Sequence, residues 1–275
     1  MKIAIIGLGW LGLPLARSLY QQSNFVIGST TSPKKLAVLK NEEFDTVQFK
    51  LDPHPVGTSF QKLFEMDIAI ITIPPGSAYQ SGEFYLEQLK FLKYLLENSS
   101  IQKVIFMSST SIYPKESRKI SYDENENLDD STVGNQILLK AESIFQKNNS
   151  FDSTVIRFGG LMGEDRIPLN YFSGKENVDG ESRVNYIHLS DAIGIVEWTL
   201  SANLWNRTFN AVAPIHPKKR DIFNSNAEKL GLTLPKSYKS EEGKENRLIG
   251  SSAISKTGFY FKFPDPLEFT YRITD

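Results

Sequence analysis

The chain of 275 residues contains no cysteine. This absence excludes disulfide bonds, a thiolate nucleophile and zinc sites with cysteine ligands. It also fits a reducing compartment, and we predict a cytoplasmic protein. Histidine is scarce as well. The three histidines, His54, His188 and His216, are far apart in the sequence and lack the spacing of paired metal ligands. We therefore predict no metal site.

The sequence also has little net charge and no long apolar run. Its 31 basic and 32 acidic side chains nearly cancel, which argues against a nucleic-acid partner. No segment reaches the roughly 18–20 apolar residues of a membrane span, so we predict no membrane partner. The apolar stretch 1–19 contains three glycines, Pro14 and Arg17 without a cleavage pattern after it, and we do not interpret it as a signal peptide. The motifs G-x-S-x-G and G-x-x-x-x-G-K-[ST] are missing too.

What the sequence does contain is an alternation of short apolar runs and longer helical patterns. This alternation predicts βαβ units around a parallel sheet. Glycine, asparagine and charged residues predict a loop over 159–184, and the tail 236–275 is predicted as a small packed subdomain. The predicted strands are 2–6, 25–29, 44–50, 67–73, 104–107, 154–158, 184–189 and 208–212, and the predicted helices are 10–21, 33–41, 84–97, 132–146, 190–201 and 219–230.

The pattern G-x-G-x-x-G, formed by Gly7, Gly9 and Gly12, lies between the first predicted strand and the first predicted helix. In a dinucleotide-binding turn the first glycine makes the tight turn, the second admits the pyrophosphate and the third lets helix and strand pack closely. The helix N-terminus adds N–H groups and a partial positive charge. We predict that this turn, with Trp10 and Leu11, holds NAD or NADP. The alternative is a tight strand–helix turn without a ligand.

The end of the second predicted strand bears on the choice between the two cofactors. An acidic residue there accepts hydrogen bonds from the ribose of NAD. Here Ser29, Thr30, Thr31 and Ser32 are followed by Pro33 and two lysines, so no carboxylate repels a 2′-phosphate. We predict NADP, with NAD as the alternative. The competing interpretation is that the hydroxyls cap the next helix and that both lysines are solvated.

Ile73, Pro74 and Pro75 follow the fourth predicted strand. Ligands of doubly wound sheets lie beyond the carboxyl ends of the strands. We predict that these residues contact a ribose of the cofactor, and the alternative is a rigid turn.

Three later segments resemble those of the extended short-chain dehydrogenases/reductases. They are 107–114 (MSSTSIYP), 157–163 (RFGGLMG) and 185–191 (NYIHLSD), and they occur in the family's order. More narrowly, 7–15 (GLGWLGLPL), 172–175 (FSGK) and 264–266 (PDP) resemble the atypical, YeeZ-like branch of the NAD-dependent epimerase/dehydratase family.

This resemblance implies an α/β fold with a doubly wound parallel (Rossmann) sheet and a smaller C-terminal substrate domain. We expect the dinucleotide-binding domain over 1–162, with 185–213 returning to it, and the substrate domain mainly over 163–275. A small-molecule substrate is expected in the cleft between them, and the oligomeric state is left open. By position, Ser109 matches the serine that binds the reacting oxygen, and Thr110 is its neighbour.

Three residues are predicted to contact the substrate. Lys175 is a candidate for an anionic substrate group, although the string from Tyr171 to Lys175 lies in loop-like sequence. Asn185 and His188 belong to the third family segment, and the alternative for His188 is a hydrogen-bonded structural role at a strand end.

The chain departs from the family at the acid/base pair. Members carry a tyrosine and, four residues later, a lysine on the helix predicted over 132–146. One register places Gln136 and Lys140 at these positions, and the other places Gly134 and Leu138. Neither register supplies the tyrosine, and losing a general acid/base costs about 10²–10⁴ in rate. In the first register Lys140 would still hold the ribose.

Two hypotheses follow. The first is an oxidoreductase, or an epimerase or dehydratase of the sugar-nucleotide type, that uses NADP or NAD with altered catalytic machinery. The second is a non-catalytic NADP-binding protein, such as a redox sensor or an assembly subunit.

Overall fold

The structure is a computed structural model that describes residues 1–75, 81–114, 121–240 and 247–272. Strands and helices alternate along the chain as its periodicity predicts. The strands are β1 (Lys2–Ile6), β2 (Phe25–Thr30), β3 (Asp45–Asp52), β4 (His54–Thr58), β5 (Ile68–Ile71), β6 (Lys103–Ser109), β7 (Ser121–Tyr122), β8 (Asp152–Phe158), β9 (Gly160–Met162), β10 (Tyr186–His188), β11 (Thr208–Ala211) and β12 (Leu248–Ile249). The helices are α1 (Gly12–Gln21), α2 (Pro33–Leu39), α3 (Gly82–Glu97), α4 (Gln136–Gln146), α5 (Leu189–Ser201), α6 (Lys219–Leu230) and α7 (Ser252–Ser255).

The main sheet has eight strands in the order β11-β8-β6-β5-β1-β2-β3-β4. The strands β3, β2, β1, β5 and β6 pair in parallel, and chain order reverses beside β1. This arrangement is the doubly wound order, so the predicted Rossmann fold is confirmed. At one edge β4 pairs antiparallel with β3, which the sequence analysis did not predict.

The centre of the sheet explains why its strands are continuous apolar runs. Ile3, Ile5, Ile70 and Ile71 are fully buried, as expected for parallel strands that are covered on both faces. Burying each such side chain contributes about 1.5–3 kcal/mol relative to exposure. Leu89, Leu92 and Leu96 of α3 pack through one face of the helix into the buried cluster that contains Ile71.

Capping decides where α3 and α4 begin, and neither helix begins at the predicted residue. The helix α4 begins at Gln136 instead of 132, since the Asn135 side chain accepts a hydrogen bond from the Leu138 N–H at 3.2 Å. The Ser81 hydroxyl caps α3 in the same way, and this helix begins at Gly82 instead of 84. The predicted loop 159–184 also contains β9, which pairs with β10, and a 3₁₀ turn at Pro168–Tyr171.

By its internal contacts the chain divides into two compact units. Unit 1 comprises Met1–Ile112, Asp129–Arg157 and Val196–Thr208, and unit 2 comprises Tyr113–Leu128, Phe158–Ile195 and Phe209–Asp275. Within unit 2, Leu169, Val178 and Phe223 form a buried apolar cluster. In the part of the chain that the structure describes, no helix is long and apolar enough to cross a membrane.

Candidate functional site

The glycine turn joins β1 to α1 at the carboxyl edge of the sheet. Gly7 has a φ of 113°, which side chains disfavour, and a Cβ there would lie 2.5 Å from the Thr72 hydroxyl oxygen. That hydroxyl donates a hydrogen bond to the Gly7 carbonyl. On Gly12 a Cβ would lie 2.1 Å from the Gly7 carbonyl oxygen, so helix and turn are in direct contact. These two glycines are required by the protein's own packing.

Gly9 is different because, among the described residues, no other part of the protein occupies the space beside it. A Cβ on Gly9 would have no atom of another part of the protein within 4 Å. Packing therefore gives no reason for a glycine at this position. The space fits a ligand that approaches the backbone closely, which is the role of the second glycine in a pyrophosphate-binding turn.

Two backbone amides at the start of α1 are available to a ligand. Within the described residues, no acceptor is found for the N–H groups of Leu11 and Gly12, whereas Leu13 donates to the Gly9 carbonyl at 3.1 Å. Unpaired N–H groups at a helix N-terminus favour an anion. The open side of Gly9 and these amides occur in one turn, so the residues fit a pyrophosphate.

The four hydroxyls at the end of β2 and directly after it have separate environments. Ser29 is buried, and its hydroxyl oxygen accepts a hydrogen bond from the Gly7 N–H at 3.2 Å. Thr30 is also buried and accepts one from the Ser32 N–H at 3.3 Å, while Ser32 caps α2 by accepting from the Lys35 N–H at 3.2 Å. Only Thr31 of the four is exposed. Helix capping thus explains Ser32. The capping interpretation placed both lysines in solvent, but Lys35 is half-buried.

A cavity of about 250 Å³ opens at the carboxyl edge of β1, β2 and β3. Its size lets part of a dinucleotide enter between the end of β2 and the segment after β5. Of the predicted cofactor residues after β5, Ile73 and Pro74 line it, and Pro75 is exposed nearby. The lining residues are Ile6, Gly7, Ser29, Thr30, Thr31, Phe49, Lys50, Leu51, Ile73, Pro74 and Gln88.

Ser109 ends β6, where the family segment predicted it. Its hydroxyl oxygen accepts a hydrogen bond from the Ser111 N–H at 3.2 Å, and it is half-buried. Thr110 is buried in the 3₁₀ turn that follows, and it is therefore less accessible than Ser109.

Next to Ser109, a buried ion pair and the Ser108 hydroxyl connect β6, α4 and β8 of unit 1. The Ser108 hydroxyl donates a hydrogen bond to the Glu142 carboxylate at 2.6 Å. Arg157 donates to both oxygens of the same carboxylate through Nε and Nη2, and the Nη2 hydrogen bond is 2.8 Å long. The side chains of Arg157 and Glu142 are 8% and 1% exposed. This pair fixes α4 against β6 and β8, and so fixes the helix register.

The orientation of α4 bears on the two alignments of the missing acid/base pair. Leu138 and Glu142 are buried against the sheet, and Gly134 donates to the Ile112 carbonyl at 2.8 Å. Lys140 lies on the side of α4 that faces away from the sheet, and its side chain is half exposed. Its Nζ atom lies 3.7 Å from Oε1 of Glu83. Leu138 thus faces the sheet, Gly134 lies before the first turn of α4, and the proposed ribose contact of Lys140 has no support in this placement.

In unit 2 the predicted substrate contacts Asn185 and His188 already make internal hydrogen bonds. The Asn185 amide accepts from the Ile249 N–H at 2.8 Å and donates to the Arg247 carbonyl at 2.9 Å. His188 is buried, and its two ring nitrogens bond to the Ser190 N–H and the Thr270 carbonyl. A structural role accounts for both side chains. Lys175 is exposed, and substrate contact by all three stays a prediction.

The stability of unit 2 is expected to fall as the pH drops from 7 to 5. Burial lowers the pKa of His188 and that of His216 below their ordinary values. Nδ1 of His188 accepts a hydrogen bond, so protonation there would break it. A histidine pKa that is lower in the folded than in the unfolded state stabilises the fold above about pH 6.5, the ordinary pKa of the unfolded chain. This stabilisation is lost as the pH falls from there through the folded-state pKa.

This prediction can be checked by urea unfolding at several pH values. The slope of unfolding free energy against pH should become shallower in His188→Gln. An unchanged slope in this variant and in His216→Gln would contradict the assignment.

Several site residues escaped the sequence analysis. Thr72 follows a buried strand at the correct edge, and its place in the chain could have indicated it. Gln88 lines the cavity from α3, where no sequence pattern marks it. The contact of Lys35 with the glycine turn depends on tertiary structure alone.

Solved structures of other proteins share the fold of this chain. The UDP-glucuronic acid 4-epimerase of Bacillus cereus, in complex with NAD, is 17% identical with a TM-score of 0.77, covering 98% of this chain and 95% of that one. The human epimerase family protein SDR39U1, isoform 2, with NADPH, is 16% identical with a TM-score of 0.69, covering 97% and 96%. The chain thus has the fold of the NAD-dependent epimerases and short-chain dehydrogenases/reductases. No model of a protein family matches the sequence.

A curated relative narrows the assignment. Protein YeeZ of Escherichia coli strain K12 is 32% identical over 269 residues, which are 97% of each chain. The protein belongs to the YeeZ family, as the segments 7–15, 172–175 and 264–266 indicated.

Proposed function

We propose that this protein binds NADP, with NAD as the alternative, and uses it in oxidoreductase, epimerase or dehydratase chemistry on a small molecule. The observation that carries the proposal is the open space beside Gly9, next to the unpaired amides of Leu11 and Gly12. The neighbouring cavity gives the rest of a dinucleotide a place along the sheet edge. Related folds with NAD and with NADPH support both cofactors.

The bound nicotinamide would accept or donate a hydride. Ser109 would hold the reacting substrate oxygen, because its own oxygen accepts from Ser111 and its proton is left to donate. Neither register of α4, Gln136 with Lys140 or Gly134 with Leu138, supplies the family's tyrosine. Another group or water would then carry the proton, and we expect turnover to be slow.

A turnover assay tests the catalytic part of this proposal. The change in nicotinamide absorbance is followed with a panel of sugar nucleotides and aldehydes. Turnover is expected to disappear in Ser109→Ala with unchanged cofactor affinity, and to persist in the control Ser111→Ala. If no substrate is turned over while cofactor binds, catalysis on these classes is refuted.

The second candidate is a non-catalytic NADP-binding protein, such as a redox sensor or an assembly subunit. The orientation of α4 supports it, because Leu138 faces the sheet and neither alignment places a tyrosine there. Cofactor would then act only by mass action, adding roughly 2.7 kcal/mol of stability at 100 times its dissociation constant. Turnover that depends on Ser109 would exclude this candidate.

We also propose a cytoplasmic location and a small-molecule ligand in place of a nucleic acid or a membrane. The absence of cysteine and the balanced charge support this.

A further inference from the structure

Unit 2 contains a cavity that none of the predicted cofactor or substrate residues lines. Its volume is about 480 Å³, which is within the range of pockets that hold small molecules. One wall is the segment that follows β11, with Pro214 and His216. The other wall is the segment from the end of β12 through α7, with Ser251, Ser252 and Lys256.

The hydroxyl of Ser251 is a polar group that the protein itself leaves unsatisfied. The residue is only 5% exposed, and its hydroxyl neither caps α7 nor has another hydrogen-bond partner among the described residues. The carbonyl of Ser251 is occupied, because it accepts from the Ser255 N–H at 3.3 Å and from the Ser255 hydroxyl at 3.1 Å. Buried hydroxyls normally have a partner, since leaving one unpaired costs free energy. A ligand in the cavity would supply this partner.

Both walls are held in place by hydrogen bonds to other segments of unit 2. The Gly250 N–H donates to the Tyr122 carbonyl at 2.8 Å, and the Gly250 carbonyl accepts from the side-chain amide of Asn210 at 2.9 Å. In the other wall, Nη1 of Arg183 donates to the His216 carbonyl at 2.8 Å. The lining groups therefore have defined positions before a ligand binds, which reduces the entropic cost of binding.

The charge of the cavity favours an anion. No acidic side chain is found among the described residues that line it, whereas Lys256 contributes an ammonium group without a carboxylate partner in the same part of the chain. Ser252 adds an exposed hydroxyl beside that of Ser251. One wall thus offers three donor groups. They match the three terminal oxygens of a phosphate monoester better than the two oxygens of a carboxylate.

The imidazole of His216 sets a second requirement on the ligand. Nδ1 lies 2.9 Å from the Val184 carbonyl oxygen, which can only accept, so Nδ1 carries the proton in the neutral ring. Burial lowers the pKa of His216, and the neutral ring is therefore the main form at pH 7. Nε2 is left as an acceptor for a hydroxyl group. Pro214, in the same wall, offers an apolar surface to the carbon atoms of the ligand.

We propose that this cavity binds a small phosphate monoester that carries a free hydroxyl group. The phosphate is bound by Ser251, Ser252 and Lys256, and the hydroxyl group donates to His216. The site goes beyond the proposed nicotinamide chemistry and does not depend on it, because it uses no residue of the glycine turn or of the sheet edge.

Calorimetric titration of the full chain with glycerol 3-phosphate, which has both groups, tests the proposal. We expect this probe to bind, inorganic phosphate to bind about fivefold more weakly, and glycerol not to bind. Lys256→Met should weaken glycerol 3-phosphate by about 10-fold and Ser251→Ala by about fivefold, while Lys256→Arg should retain most of the affinity. Lys239→Met is the matched control. It removes an exposed lysine of unit 2 that does not line the cavity, and it should bind as the wild type does.

A phosphate could also bind at the glycine turn, so the titration is repeated with Gly9→Ala, which should retain the affinity for glycerol 3-phosphate. Loss of binding in Gly9→Ala with unchanged binding in Lys256→Met would place the anion at the turn and overturn the inference. Glycolate, which has a carboxylate in place of the phosphate, would overturn the ligand class if it bound as tightly. Absence of binding by glycerol 3-phosphate would refute the site. Melting temperatures without ligand show that the variants are folded, and Lys256→Gln replaces Lys256→Met if that variant is not.

Discussion

Replacing Gly9 by alanine is expected to remove cofactor binding and to leave the fold intact. A Cβ on Gly9 has no protein atom from elsewhere in the chain within 4 Å, so the melting temperature without nucleotide should not change. The added methyl group would occupy the space that we assign to the pyrophosphate. Losing two charge-assisted hydrogen bonds costs about 3 kcal/mol, or roughly 100-fold in affinity for NADPH.

The matched control for this variant is Gly12→Ala, in the same turn. Its Cβ would lie 2.1 Å from the Gly7 carbonyl oxygen, so backbone atoms have to move. We expect a loss of about 1–3 kcal/mol in unfolding free energy. If Gly9→Ala binds NADPH as the wild type does, the pyrophosphate does not lie beside Gly9.

The second large effect is expected for Arg157→Met. Among the described residues, the variant leaves the buried Glu142 carboxylate with the Ser108 hydroxyl as its remaining side-chain partner. Removing one partner of a buried ion pair costs about 3–5 kcal/mol. Urea unfolding followed by circular dichroism measures this difference.

A double variant separates the ion pair from packing. Replacing Arg157 by methionine and Glu142 by leucine together removes both charges, and we expect most of the lost stability to return. Some loss remains because the Ser108 hydroxyl no longer has its acceptor. A single Arg157→Met variant that loses less than about 1 kcal/mol would contradict the structural role of the pair.

The sequence was sufficient to predict the glycine turn because the chemistry of that turn is local. Strand, glycine spacing and helix follow one another within 20 residues, and each glycine of the pattern has its own role. The roles of the hydroxyls after β2 were not predictable in the same way. They depend on which backbone amide lies opposite each side chain, and Gly7 lies 22 residues from Ser29.

The register of α4 shows a second limit of the sequence. Gln136 and Lys140 match the family spacing as well as Gly134 and Leu138 do. What decides between them is Glu142, because its pairing with Arg157 turns one face of the helix toward the sheet. Ion pairs between distant elements carry no local pattern. The short strands β4, β7 and β12 were missed for a related reason, since their pairing partners are set by tertiary structure.

Calorimetric titration of the unaltered chain with NADP⁺, NADPH, NAD⁺ and NADH tests most directly whether the turn after β1 holds a nicotinamide dinucleotide. We predict binding of one nucleotide per chain, tighter for the phosphorylated pair and weakened by added salt. Absence of heat with all four nucleotides, together with unchanged melting temperatures, would contradict it.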